Sequence, residues 1–284
     1  MNRLIINADD FGFTRGVNAG IIRAFKTGIV TSTTMMANGE AFDDAAALAR
    51  ENPGLGVGCH LAIVGGRPVA QPHEVQSLVD RQGLLPATLG RLMLKLAGGS
   101  IKTEDIVREF RAQVNRIVEA GITPTHLDSH KHSHVRPQVM KALAIVAGEF
   151  GITRVRNPFE SAFGRASLAG WPHLKQWVLS AAITPGQMGF RRLARQHLLR
   201  TPDRFVGVAL TGKLDSAAIR SIMETLKEGT TEMMCHPGVY DSDLERARTR
   251  LKRERERELE ALTDPGLKRL AEENQIELIS YRDL

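Results

Sequence analysis

Leu4-Ile5-Ile6-Asn7-Ala8-Asp9-Asp10-Phe11-Gly12 decides the fold. An apolar run breaks off at two adjacent carboxylates and a glycine. In an α/β protein this pattern is a buried strand whose carboxyl end emerges where ligands bind. Paired acids are costly there unless a metal or a proton compensates them. Successive side chains of a regular strand point to opposite faces. Asp9 and Asp10 therefore reach one site only if the strand end frays, one as metal ligand and its neighbour as base. A helix N-cap would need only one of them. Residues 55–60, 125–134 and 232–236 also end apolar runs in acids or histidines. Together these segments predict one metal-centred hydrolytic site.

Outward from the first strand, helices and strands alternate. Residues 14–28 carry Val17, Ile21, Ile22 and Phe25 at helical spacing, with Gly28 as the C-cap. Residues 29–36 form a strand rich in β-branched side chains, 42–50 a helix stopped by Asn52-Pro53-Gly54, and 55–61 a third strand. The alternation predicts a parallel sheet with crossover helices. Further helices are expected over 89–96, 103–119 with Thr103 as N-cap, 136–150 and 217–227. Strands are expected over 125–129, 153–156, 205–210, 231–235 and 276–280. Residues 245–262 alternate charge signs and read as a long solvated helix.

The strand count comes to about eight, that of a TIM-like (β/α) barrel. One domain over 1–284 is expected, with insertions at the strand carboxyl ends over about 65–100 and 161–203. The second mixes Trp171, Trp177 and Leu179 with Arg191, Arg192, Arg195 and Arg200. That mixture suits a membrane surface, an amphiphilic ligand or a lid helix packed on the barrel.

Composition excludes several classes. With 42% hydrophobic and 25% charged residues the chain is of the soluble globular type. Lys+Arg 38 against Asp+Glu 32 leaves +6, which is mostly a solubility property. Glutamates interleaved with the arginines of 245–262 cancel their field, so no nucleic-acid partner is expected. No apolar stretch is long enough for a bilayer, and the start of the chain lacks a secretory pattern. Cys59 and Cys235 make no disulfide framework. The expected location is cytoplasmic; contact with the inner membrane face and a homodimer are left open.

Cys59 precedes His60 and Cys235 precedes His236, so alternation turns each cysteine toward the helix layer and each histidine toward the barrel mouth. In His126-Leu127-Asp128-Ser129-His130-Lys131-His132-Ser133-His134 the acid and histidines occupy even positions. One face carries them all if the chain stays extended. Same-face neighbours lie ~7 Å apart against metal–nitrogen bonds of ~2 Å, so one or two of them share an ion. The others are left as supporting, sugar-binding or solvent-facing groups, with Asp128 and His132 the sugar-binding candidates. One carboxylate and two imidazoles around a divalent ion leave positions open for water and substrate. A neighbouring carboxylate would take the water's proton and a histidine would protonate the leaving group. Mixed oxygen and nitrogen ligation does not choose between Mg2+ and Zn2+. Arg156, after the fifth strand, would hold sugar or oxyanion, or else sit in a structural ion pair. A barrel phosphoesterase and a non-catalytic lipid- or sugar-binding protein are the alternatives. Neither a phosphate loop nor a dinucleotide fingerprint occurs.

Ala8-Asp9-Asp10-Phe11-Gly12, Gly58-Cys59-His60-Leu61, residues 126–132 and Cys235-His236-Pro237-Gly238 resemble the YdjC-like carbohydrate deacetylase family. The likeness extends to Glu258-Leu259-Glu260-Ala261-Leu262-Thr263. It implies a distorted (β/α) barrel that removes acetyl groups from N-acetylated amino sugars with one divalent metal ion. It also implies Asp9 as base, Asp10, His60 and His130 as ligands, with His132 the rival to His130, and His236 as general acid. The insertion over 161–203 is similar to that of the branch associated with hopanoid biosynthesis, which implies an N-acetylglucosaminyl lipid as substrate.

Overall fold

The computed structural model describes residues 1–160 and 186–284. The first half alternates β1 (Asn2–Phe11), α1 (Arg15–Thr27), β2 (Ser32–Met35), α2 (Phe42–Glu51) and β3 (Gly56–Leu61). Then come α3 (Leu89–Ala97), α4 (Thr103–Glu119), β4 (Leu127–Ser129), a 3-10 turn (His130–Val135) and α5 (Pro137–Glu149). After the undescribed segment follow α6 (Gln187–Gln196), β5 (Arg204–Val206), α7 (Ser216–Glu224) and β6 (Gly229–Cys235). The chain ends with α8 (Ser242–Arg246), α9 (Glu254–Leu262), α10 (Gly266–Glu273), β7 (Ile276–Leu278) and a 3-10 turn (Tyr281–Asp283). The strands order β4-β3-β2-β1-β6-β5, with β7 beside the first residues of β1, and every pairing is parallel.

Parity along each strand sorts the side chains into two layers. Leu4, Ile6, Ala8, Cys59, Leu61, Leu127, Met233 and Cys235 join the large apolar core shared with the helices. Both cysteines are buried and free there, as alternation predicts. The opposite parity carries Asn7, Asp9, His60, Asp128 and Glu232, all buried. The sheet must therefore curl. In a flat sheet β4 and β6 would stand four steps, ~19 Å, apart at ~4.8 Å per step. Yet Asp128 of β4 and Glu232 of β6 both contact the guanidinium of Arg156, at 2.6 and 2.8 Å. The result is a parallel half-barrel with a polar interior.

Several expectations are corrected. Seven strands, not eight, occur among the described residues. Residues 153–156 and their neighbours contribute only isolated bridges, Leu127 with Val155 and Arg154 with Arg200. Lys102, not Thr103, holds the N-cap position of α4, without a side-chain cap bond. Residues 126–134 do not stay extended, because β4 stops at Ser129 and Lys131 and His132 adopt left-handed backbone angles of φ 55° and 52°. The long solvated helix over 245–262 is two helices, α8 and α9. The second buries Arg255 and Glu258; alternating charge signs conceal which charges face inward. Trp171, Trp177 and Leu179 lie outside the described residues. Arg191, Arg192 and Arg195 sit exposed on α6, and Arg200, also exposed, follows it. Among the described residues no helix is long and apolar enough to cross a membrane.

Candidate active site

Asp9 and Asp10 do reach the same mouth, but through a bulge rather than a frayed end. The register of β1 against β2 shifts between Ala8 and Phe11, and Asp10 takes φ +73°. A non-glycine residue there costs of order 1–3 kcal/mol unless its surroundings hold it. Here they do: Asp10 is 5% exposed, and its Oδ2 accepts from Arg255 Nη2 at 2.5 Å. Burial raises its pKa, but Arg255, with His130 and His60 adding to it, carries it well below the usual carboxylate value.

Arg156 occupies the centre of the half-barrel with no solvent-exposed surface. Its Nη1 and Nη2 grip Asp9 Oδ2 and Oδ1 at 2.7 and 2.6 Å, Nη1 also meets Asp128 Oδ2 at 2.6 Å, and Nε donates to Glu232 at 2.8 Å. Asp9 Oδ1 takes a further bond from Asn7 Nδ2 at 3.0 Å. Burial raises the Asp9 pKa, but Arg156 outweighs it and holds the group as a carboxylate. Glu232 has its second oxygen on Tyr281 Oη at 2.5 Å, and burial still pushes its pKa to about 7. Arg156 thus sits in the buried ion pair weighed from sequence, with its guanidinium spent on carboxylates.

One triangle of ligand atoms stands out. Asp10 Oδ1, His60 Nε2 and His130 Nδ1 are separated by 3.5, 3.4 and 3.3 Å. Ligand atoms at ~2.1 Å from one tetrahedral ion lie ~3.4 Å apart, so the three fit a divalent cation. His60 is prepared for that role. Its Nδ1 lies 2.7 Å from Asp128 Oδ1 and 3.1 Å from Thr34 Oγ1, which fixes the ring and leaves Nε2 toward Asp10, a carboxylate–histidine pairing common behind metal ligands. Burial alone would lower the His60 pKa, but Asp128, Asp9 and Asp10 carry it up to about 9; the pocket asks for positive charge beside this ring. A second cluster, Asp9 with His60 and Asp128, fits poorly, because the Arg156 cation already lies on both carboxylates.

His236, at the end of β6, is buried near Asp9 and Asp10. Burial lowers its pKa to about 4 despite those two carboxylates. Among the described residues its Nδ1 has no hydrogen-bond partner, and it lies 4.0 Å from Glu258 Oε2. The same Glu258 carboxylate accepts from the backbone N–H of His236 at 2.6 Å and of Gly212 at 2.8 Å, fixing the loop from α9. From the other side α1 presses on that loop: a Cβ on Gly20 would stand 2.4 Å from Gly238 Cα. Gly20→Ala must therefore push backbone two residues from His236. It is expected to cost about 1–3 kcal/mol of stability and to lower turnover more than metal binding, read by thermal unfolding, metal titration and acetate release. Full turnover in this variant would show that the loop has slack.

The remaining histidines separate. His132 turns its ring edge toward Phe205 at 5.6 Å and is not in the triangle. His134 Nδ1 lies 2.6 Å from Ser129 Oγ and its Nε2 3.2 Å from the Arg156 carbonyl. His126 stacks on Tyr281 at 3.6 Å. Asp128 has no exposed surface and supports His60 and Arg156. Asn7, Thr34, Glu232, Tyr281, Arg255 and Glu258 all bear on the site, yet the sequence assigns none of them a site role, though Glu258 lies in the stretch that carries the family likeness. A signal existed for Glu232, a charge inside the run Thr230-Thr231-Glu232-Met233-Met234-Cys235. For Thr34 and Tyr281 there was none.

A curled parallel sheet with an acid, two histidines and an arginine-tethered carboxylate at its strand ends defines, in outline, a metal-centred hydrolytic site. The comparisons agree. Residues 3–273 match the model of the YdjC-like protein family, and the chain belongs to that family. It is similar to a carbohydrate deacetylase of Geobacillus stearothermophilus, with 36% identity over 98% of this chain and 96% of that one. A chitooligosaccharide deacetylase of Escherichia fergusonii shows 33% identity over 99% and 98%. Among solved structures, a crystallised Enterococcus faecalis V583 protein, named as a candidate cellobiose-phosphate cleavage protein, superposes with a TM-score of 0.81. It has 27% identity and covers 100% of this chain and 99% of that one. The chain is accordingly a hydrolase acting on a carbon–nitrogen bond.

Proposed function

We propose that this protein hydrolyses the N-acetyl group of an acetylated amino sugar with the help of one divalent metal ion. The triangle of Asp10 Oδ1, His60 Nε2 and His130 Nδ1 carries this reading; the names of the relatives supply the substrate class. Asp10, His60 and His130 would hold the ion, which when bound supplies Lewis acidity toward water and an amide carbonyl.

The protein's own groups account for the proton traffic. Asp9, held ionised by Arg156, is the base that takes a proton from the attacking water. Arg156 fixes both oxygens of that carboxylate, so the base needs no reorganisation as the reaction proceeds. His236 is the group placed to protonate the departing amine. Its resting imidazole is neutral, so it must first take up a proton, either the one Asp9 removes from water or one from solvent. Glu258, the carboxylate beside Nδ1, would stabilise that imidazolium until the proton passes to the amine. Asp128 and Thr34 keep the His60 ring in place.

The finer reading is an N-acetylglucosaminyl lipid of the hopanoid kind. Its support is the likeness of the 161–203 insertion, together with α6, where Arg191, Arg192 and Arg195 lie exposed beside the exposed Met188 and Leu198. Such a face suits contact with an anionic membrane surface. Acetate release from an N-acetylglucosaminyl lipid and from chitobiose, before and after chelation, tests both levels. Chelator-sensitive release from either supports the deacetylase reading, and the preferred substrate decides the finer one. Failure on both, with metal bound, removes the reading and turns the search to phosphate esters. Asp10→Asn and His60→Ala are each expected to lose metal and turnover together, seen by metal titration of the folded variants; retention of full metal affinity in both would place the ion elsewhere.

A further inference from the structure

The least expected member of the site is Arg255, 245 residues away from Asp10 in sequence. It comes from the first turn of α9, its side chain is 1% exposed, and among the described residues its only ion pair is Nη2 on Asp10 Oδ2 at 2.5 Å, with the Phe13 ring 5.7 Å from its guanidinium carbon. Its Nε and Nη1 are buried without a hydrogen-bond partner among the described residues. A guanidinium taken out of water for one ion pair gains little net stability, and replacing such a pair whole by apolar side chains is often neutral or better for a fold. Arg156 differs, since all three of its nitrogens meet carboxylates. Net stability therefore does not explain why the Arg255–Asp10 pair is there. The effect of Arg255 on Asp10 does.

A carboxylate can offer one or both oxygens to a cation. Asp10 has its two oxygens divided, Oδ2 on Arg255 and Oδ1 toward His60 and His130. With its backbone held at φ +73°, the carboxylate has two fixed points: the bulge below and the guanidinium above. The same turn of α9 is anchored to the His236 loop through the Arg255 carbonyl, which accepts from Gly238 N at 3.2 Å. We propose that Arg255 is a positioning residue that holds Asp10 as a one-oxygen metal ligand, so that α9 sets both metal affinity and the number of positions left for water and substrate. This rests on the metal-site reading above.

The test uses the full chain with Arg255→Met and Arg255→Lys, titrated with Zn2+ by calorimetry and with Co2+ by visible absorption. Thermal unfolding of the metal-free proteins is measured alongside. Arg255→Met is expected to weaken metal binding about 10- to 100-fold and to alter the Co2+ absorption envelope; the metal-free variant also unfolds earlier, because Asp10 is left buried without its guanidinium. Arg255→Lys, which keeps the charge, is expected to recover part of the affinity. A merely structural Arg255 would lower the unfolding temperature and leave affinity and Co2+ spectrum unchanged, and that result overturns the proposal while the metal site stands. Should Arg255→Met fail to fold, Arg255→Lys decides alone: weaker binding with a changed spectrum supports the proposal, and parent-like binding removes it. If the unsubstituted protein binds neither ion, the metal-site reading itself fails and the proposal falls with it.

Discussion

Asp9→Asn is expected to lower kcat for acetate release by about two to four orders of magnitude, the usual worth of a positioned general base. Metal affinity is expected to stay within a few-fold of the parent. The substitution preserves shape and removes only the charge and one acceptor. Asp9 places no atom in the triangle of Asp10, His60 and His130, so the ligands are untouched. What changes is the partner of Arg156. Two strong bonds to Asp9, at 2.6 and 2.7 Å, become one, since an amide presents one oxygen and one NH2 to the fork. Some loss of stability follows, and thermal unfolding has to be measured beside turnover and metal titration. Near-parental turnover would strip Asp9 of the base role. Loss of metal with turnover would place the ion instead among Asp9, His60 and Asp128, the second cluster of potential ligands.

What could be read from the chain follows from what strand parity transmits. The positions of His60, Asp128 and the two cysteines are period-two consequences of buried strands, and the Cα pairing of His60 with Asp128 across β3 and β4 bears them out. Asp10 was legible only as a problem, because two adjacent acids cannot share a face; a bulge with φ +73° solves it, and no residue type announces that geometry. The stretch after Ser129 defeats parity for a similar reason. Left-handed Lys131 and His132 turn the chain, delivering His130 to the triangle and His132 to Phe205. Residues 245–262 were misjudged because charge alternation looks the same whether the helix is solvated or turns one arginine and one glutamate inward. Only the tertiary pairing of Arg255 with Asp10, and of Glu258 with the His236 backbone, separates the two. The half-barrel was likewise underdetermined, since counting strands does not say how the sheet closes between β4 and β5.

Arg156→Met is the substitution expected to damage the fold most. It leaves Asp9, Asp128 and Glu232 buried around an uncharged side chain. Removing one partner of a buried ion pair costs about 3–5 kcal/mol, a large share of the ~5–15 kcal/mol that holds a typical domain together. The pH dependence distinguishes this cause from lost packing. Burial raises the pKa of Asp9 and Asp128, but Arg156 outweighs it and both are held below their ordinary values. Their contribution is therefore fully present above the unfolded carboxylate pKa of about 3.9 and is lost as pH falls through the folded values. Without Arg156 the burial effect prevails and the folded pKa values rise above the unfolded one. The same groups then destabilise the protein at neutral pH, and protonation relieves the penalty as pH falls. The stability gap between parent and variant, measured by urea unfolding with chelator present, should be widest near pH 7 and narrow toward pH 4. Adding Asp9→Asn to Arg156→Met should recover part of the loss at pH 7, since a stranded charge is gone. Glu232, at about 7 even beside Arg156, is protonated there without it and strands no charge. Arg156→Lys should fall between, because an ammonium keeps the charge but cannot span Asp9, Asp128 and Glu232 with a planar fork. A gap independent of pH would mean that Arg156 matters to the fold as volume, and the electrostatic account of the half-barrel interior would fail with it.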